Sequence, residues 1–441
     1  MNEAARQVIE LAQASQVRFV RLQFVDLHGA LKSVEIPRHQ LGAAFQTGVF
    51  FDGSSVAGFV RSEESDMILQ PDASTWRVIP LEVDPRSVGQ LTCDVCLPDG
   101  FSFSGDSRSV LRKVLLRSAE LGFTDVQLRL EVEFYLFRQD KDRHPRLEPS
   151  DNDGYFDMSA SLEDTCLRQI AESLTAMNVP VAAIHHEVGP GQYEVVLDAL
   201  PALAAADALL TVKMVVKSVS ARHHLFATFM PKPLQGFDGS GLHVFQSLLT
   251  KDGSAFTDST HPDGLSLSGL HYIAGLFQHA PGLTALTNPL VNSYKRLVPR
   301  LEAPAFICWA VRYRNPFVRV TRHTDARTWI ELRSPDVTCN PYLAFAAMIS
   351  AGLDGVTRSL APPQAVEAEV SAMSNEERLL RGIFTLPTNL AEALSALEED
   401  VWLEETIGEH LLTRFLNSKS LEWQAYQNTV HAWEHDQYLE L

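Results

Sequence analysis

Glu131 and Glu133 stand two residues apart in LRLEVEFYLF, residues 128–137. The aromatic and aliphatic residues around them predict a strand, and strand side chains two apart share a face. Two carboxylates on one buried face are costly unless positive charge meets them; on a sheet with a wet side they are simply solvated. Further ligands of the same kind occur along the chain. In AAIHHEVGPGQYEVVL, residues 182–197, a strand, a Gly-Pro-Gly turn and a second strand predict a hairpin that brings Glu187 close to Glu194. His243 sits where the glycine-rich stretch GFDGSG enters a strand. Taken alone, it is as readily a structural histidine as a ligand. WIELRSP places Glu331 and Arg333 on one strand face. Five carboxylates and one imidazole exceed what one divalent ion needs and suit two Mg²⁺ or Mn²⁺ ions. Zinc would bring more His or Cys.

Residues 288–319 are dense in cations: Arg296, Arg300, Arg312, Arg314 and Arg319, with Glu302 among them. The choice is between a solvated basic loop and an anion site, and the interleaved aromatics favour the site. Divalent ions beside several arginines point to phosphoryl transfer from a nucleotide. The chain has no GxxxxGK[ST] loop and no kinase signature set, so the nucleotide is held in another way.

The elements that must position these groups follow from pattern. Residues 17–36 read as two strands joined at His28-Gly29, and residues 49–59 as a Gly/Ser-rich turn holding Asp52. Two more short strands fall in 76–96. Asp106 or Ser107 caps a helix that ends at Gly122. Residues 139–154 read as an exposed polar loop. Helices are expected over about 161–177, 202–220 and 265–280, from Asn340 onward, and through much of 375–441. These elements imply an α+β fold of two units, a small mostly β domain over 1–104 and a larger domain over 105–441.

Bulk properties narrow the class. Lys+Arg 37 against Asp+Glu 55 gives a net charge of −18, which argues against a general binder of nucleic acid or anionic membranes. No run approaches about 18 apolar residues, so no membrane span is expected. Cys93, Cys96, Cys166, Cys308 and Cys339 are too sparse for a disulfide framework and fit a reducing cytoplasm. Cys93 and Cys96 form one CxxC without a second pair and read as strand residues.

Along nearly its whole length the chain resembles type I glutamine synthetases. The matching segments are FDGSS (51–55), EVEFYLF (131–137), HEVGPGQYEV (186–195), FMPKP (229–233), DGSGLH (238–243), NSYKRLVP (292–299), EAP (302–304), ELRSPD (331–336) and NPYLAFAAM (340–348). The resemblance implies an N-terminal β-grasp-like domain and a catalytic domain with a curved antiparallel sheet, a part-barrel flanked by helices. It implies ATP-dependent ligation of ammonia to glutamate, with Mg²⁺ or Mn²⁺. Glu133, Glu187 and Glu194 match the ligands of one metal; Glu131, His243 and Glu331 match those of the second. Arg296, Arg314 and Arg333 match groups around glutamate and the moving phosphoryl. Gly239 matches a backbone site beside the amino acid, and Arg319 and Ser247 match nucleotide contacts. Glu302 matches a flap residue that takes a proton from ammonium. Asp52 matches an ammonium-binding aspartate lent by a neighbouring subunit in two stacked hexameric rings.

Four positions depart from the family pattern. Arg300 replaces a flap glycine, Trp329 an arginine for which Arg327 could compensate, and Asp238 an asparagine. Phe384 stands where some members carry a modified tyrosine. The resemblance therefore leaves two rivals, a ligase using an organic amine such as a polyamine, ethanolamine or methylamine, and a non-catalytic regulatory homologue.

Overall fold

The computed structural model describes residues 2–59, 66–80, 88–142, 144–157, 162–261, 263–299, 302–322 and 327–441. Arg300, one of the departures above, lies outside the described residues.

The first unit is built on β1 (Phe19–Val25), β2 (Leu31–Pro37), β3 (Val49–Asp52), β4 (Asp66–Pro71), β5 (Arg77–Val78) and β6 (Val88–Cys96). Among the described residues these form one sheet in the order β2-β1-β6-β4-β3, with β5 also on β6. The β1–β2 hairpin turns at Gly29, whose φ of 74° suits glycine. β1 and β6 run parallel, while the other pairs are antiparallel. Helices Glu3–Ala14 and Leu41–Thr47 add to this unit. Its own core gathers Leu22, Leu41, Met67, Leu69 and Leu91. This is the β-grasp arrangement. Cys93 and Cys96 are free residues of β6.

The second unit centres on β7 (Asp125–Gln139), the strand that carries Glu131 and Glu133. Its neighbours are β8 (Pro145–Pro149), β9 (Val181–His186), β10 (Gln192–Leu197), β11 (Leu200–Pro201), β12 (Leu225–Thr228), β13 (Leu242–Thr250) and β14 (Gly253–Ser254). Beyond β15 (Phe306–Ile307) come β16 (Trp309–Ala310), β17 (Val318–Arg322) and β18 (Thr328–Leu332). The main path is β16-β17-β18-β13-β7-β10-β9, curled as a half-barrel. It is antiparallel apart from the short β16–β17 pair. A small separate ribbon joins β15 to β19 (Phe384–Thr385).

Helices Ser107–Glu120, Leu162–Ala176 and Ala202–Arg222 flank the sheet, and helix Pro341–Arg358 is buried along most of its length. Asp106 does cap the first of these, accepting from Ser109 N at 3.1 Å. One expectation is corrected. Residues 145–149 form β8, which pairs with β7 yet stays largely exposed; its prolines are tolerated because it lies at an edge. The helix expected over about 265–280 is Leu267–Gln278, and a further helix, Ala280–Thr287, follows it with Pro281 near its start.

Candidate active site

Strand register assembles the site. Glu133 on β7 lies directly opposite Glu194 on β10, and Glu194 lies opposite His185 on β9. Two residues earlier on β7, Glu131 lies opposite His243 on β13. Phe245, two residues on from His243, faces Glu331 on β18, which in turn faces Arg319 on β17. Directly paired residues share a face, as do residues two apart. One concave face therefore carries Glu131, Glu133, Glu194, His185, His243, Glu331 and Arg319. Neither glutamate is a freely solvated surface residue: Glu133 is 8% exposed, and Glu131 is half-buried with a side chain 21% exposed that turns to His243.

The contacts are close. His243 Nδ1 is 3.0 Å from Glu131 Oε2 and 3.6 Å from Glu331 Oε1, and its Nε2 is 3.6 Å from Glu133 Oε1. His185 Nε2 is 3.2 Å from Glu194 Oε1, and its Nδ1 is 3.8 Å from Glu187 Oε1. Glu133 Oε2 accepts from Gly241 N at 2.8 Å and from the Gln192 amide at 3.2 Å. Among the described residues, two groups of ligand atoms compact enough for a metal ion result, Glu131/Glu194/His243 and His185/Glu187/Glu194. Glu194 belongs to both, so the grouping differs from the division expected above.

Burial sets the electrostatics. It pushes the Glu187 carboxyl up to about 8, with Glu133 and Glu194 adding their repulsion. It likewise raises Glu194, helped by Glu131 and Glu133. Burial lowers His243 to about 4, and the Arg333 charge acts in the same direction, so the ring is neutral at ordinary pH and has a lone pair to offer. Like charges packed this way call for positive charge among them. Among the described residues, Glu331 Oε2 is buried without a hydrogen-bond partner. Oxygen-rich donors of this kind fit a hard divalent cation.

The arginines close the other side. Arg333 pairs with Glu331. Arg296 is buried, and its guanidinium donates to the backbone carbonyls of Ser334 at 2.7 Å, Pro335 at 3.1 Å and Arg333 at 3.1 Å. It thus clamps the chain just beyond Glu331. A cavity lies between these groups, lined by Glu133, Glu187, Gly239, Arg296, Glu302 and Arg333 among others. Gly239 has no room for a side chain, since a Cβ there would lie 2.1 Å from Pro231 O. Glu302 N donates to Asp238 Oδ1 at 3.2 Å, so the departure at 238 touches the Glu302 segment directly.

At the rim of the same face, Arg319 Nη1 is 3.8 Å from Glu331 Oε2. Ser247 is buried on β13, its hydroxyl 3.3 Å from that of Ser254. Arg314 is exposed on the loop after β16. Trp329 is buried on β18, and Arg327 donates to Gln127 at 2.7 Å. Phe384 is exposed. Asp52 is not brought to the cluster; it is exposed at the end of β3 and accepts from Ser54 N at 2.8 Å.

Sequence reasoning passed over His185, Gln192 and Tyr155. Pairing the hairpin residue by residue around its turn would have found His185 across from Glu194. Tyr155 has no such signal. Burial raises its phenol, as do the charges of Glu187 and Glu194, while Arg314 opposes. It stacks on Phe156 and meets His185 edge-on.

Comparison with known proteins agrees with this geometry. Residues 16–98 match the family model for the glutamine synthetase β-grasp domain and residues 104–438 that for the catalytic domain. The chain is 44% identical to glutamine synthetase of Staphylococcus aureus strain MW2 over 431 residues, 98% of this chain and 97% of the relative. It shows the same identity and coverage with the enzyme of Staphylococcus epidermidis. Two solved structures, described as "Apo GmaS without ligand" and "GmaS/ADP complex-Conformation 1", superpose with TM-scores of 0.87 and 0.88. Each is 30% identical and aligns over 98% of this chain and 99% of its own. With matching models over both units, full-length relatives and one sheet face bearing the acidic constellation, the chain belongs to the glutamine synthetase family.

Proposed function

We propose that this protein ligates ammonia to the γ-carboxylate of L-glutamate, with ATP converted to ADP and phosphate by way of γ-glutamyl phosphate. The observation that carries the reading is the single face gathering Glu131, Glu133, Glu194 and His243, with buried Arg296 and Arg333 across one cavity. A carboxylate is a poor electrophile, so it must first be phosphorylated. Arg296, Arg314 and Arg333 are the chain's own cations around glutamate and the moving phosphoryl group. Glu133, Glu187 and Glu194 would hold one Mg²⁺ or Mn²⁺ and Glu131, His243 and Glu331 the other, with His185 within reach of the first set. Bound there, the ions neutralise phosphate charge. Ser247 and Arg319 face the nucleotide, and Gly239 leaves its backbone open to the amino acid.

Ammonium must lose a proton to attack, and Glu302 and Asp52 are the carboxylates assigned to it. Closure of the Glu302 segment keeps water from the acyl phosphate. Asp52 would come from a neighbouring subunit in two stacked hexameric rings. In support, among the described residues it lies exposed on an edge strand, with Ser54 alone hydrogen-bonded to its carboxylate. Among the described residues no helix is long and apolar enough to cross a membrane, and all five cysteines are free, in keeping with a cytoplasmic enzyme.

A second reading is ligation of an organic amine, favoured by the likeness to GmaS, gamma-glutamylmethylamide synthetase. The higher identity to glutamine synthetases favours ammonia. The test is glutamate-dependent phosphate release with Mg²⁺ or Mn²⁺ across ammonium, methylamine, ethanolamine and putrescine, with products weighed by mass spectrometry. Glutamine formed with ammonium supports the first reading; turnover with an organic amine alone supports the second.

A further inference from the structure

We propose that Glu367 is a positioning residue that holds the loop bearing Arg314 at the mouth of the site. The inference rests on the reading of Arg314 as a group that meets the transferred phosphoryl. The loop leaves β16 at Ala310 and rejoins the sheet at Val318. β16 and β17 share only two paired positions, so the ladder does little to hold it. Its backbone is held from elsewhere. The amides of Val311, Arg312 and Tyr313 all donate to the Glu367 carboxylate, at 2.7, 2.9 and 2.9 Å. Three successive amides on one anion form a nest, and bonds to an ionised acceptor are stronger than neutral ones. Burial works against the Glu367 charge, but these amides and Arg312 outweigh it and keep the carboxyl low.

The anchor is itself fixed. Val366 N donates to Trp309 O at 2.8 Å, and the Trp309 indole donates to Pro363 O at 2.7 Å. Val366 is buried in a small separate core with Phe306, Cys308, Val370 and Ile383. The Tyr313 hydroxyl reaches Glu369 at 3.1 Å. Arg314 follows directly on the three held amides, and the chain then enters β17, where Arg319 Nη1 lies 3.8 Å from Glu331 Oε2. An exposed arginine on a loop of this length would otherwise sample many positions. By fixing the backbone just before Arg314, Glu367 narrows them, which is a matter of placement, because an exposed carboxylate adds little to global stability.

The test is Glu367→Gln in the full-length assembled protein, read in two ways. Amide hydrogen exchange in the peptide spanning 311–313 should quicken about tenfold or more. Unchanged protection would overturn the proposal, and this readout needs no turnover. In the phosphate-release assay kcat should fall about 10- to 100-fold, with the ATP KM moving less. On an Arg314→Ala background the same substitution should cost less than about twofold, since the effect runs through Arg314. An equal loss on both backgrounds, or none on the unaltered one, would also overturn it. If the unaltered enzyme turned over no amine at all, the proposed function would fail, and the exchange measurement would still decide what Glu367 does to the loop.

Discussion

Replacing Arg108 by methionine should destabilise the protein by about 3–5 kcal/mol, the range for leaving a buried charge without its partner. Arg108 lies on helix Ser107–Glu120 and is 2% exposed. Its guanidinium grips Asp207 with two bonds, Nε at 3.1 Å and Nη2 at 2.9 Å. It also meets Asp94 at 2.6 Å and Asp72 at 3.0 Å. Asp94 belongs to β6 of the N-terminal sheet and Asp72 follows β4, whereas Asp207 belongs to helix Ala202–Arg222 beside the large sheet. The arginine therefore ties the two units together.

Methionine replaces much of the apolar stem, so the lost charge dominates. Arg112 would still neutralise Asp72 at 2.7 Å and Asp94 at 3.2 Å, and both aspartates reach solvent. Asp207 would keep the Tyr342 hydroxyl at 2.5 Å and the more distant charge of Arg77. The cost thus falls on one carboxylate whose side chain is 3% exposed. Adding Asp207→Asn to the methionine variant removes that charge and should recover about half of the loss. Urea unfolding at neutral pH, followed by tryptophan fluorescence and compared at equal slope, measures both. A loss under about 1 kcal/mol for the single variant, or a double variant no more stable than the single, would refute the reasoning.

The same junction gives a pH prediction. Burial opposes the Asp72 charge, but the Ser74 hydroxyl and Arg108 outweigh it and hold the carboxyl at about 2. A lowered folded value stabilises the protein above the unfolded value near 4, and that contribution is lost as pH falls from about 4 to about 2. Asp72→Asn should flatten the dependence of the urea midpoint over this window, and an unchanged slope would contradict the assignment. Glu302→Ala should lower amide formation about 100-fold or more while leaving nucleotide affinity within about twofold, because the backbone bond to Asp238 survives the change. Equal losses in nucleotide binding and turnover would count against a proton-transfer role. Gly239→Ala drives a Cβ to 2.1 Å from Pro231 O and 3.0 Å from Arg296 Cγ, so glutamate-dependent turnover should collapse. A fully active alanine variant would show that this backbone yields.

The pairing of Glu131 with Glu133, the hairpin carrying Glu187 and Glu194, the capped helix after Asp106 and the family itself were legible in the sequence. Each depends on periodicity, turn chemistry or motif order within a short stretch, where covalent spacing decides which side chains share a face. Residues 139–154 misled because their polarity suits an exposed edge strand as well as a loop. What joins distant stretches was not legible. The sharing of Glu194 by two ligand groups, the clamp of Arg296 on residues 333–335 and the Arg108 junction between the units all depend on packing. So do Tyr155 against His185 and the bonds from residues 311–313 to Glu367. Such contacts are set by strand register and by the requirement that buried charges find partners, and only the folded chain satisfies both at once.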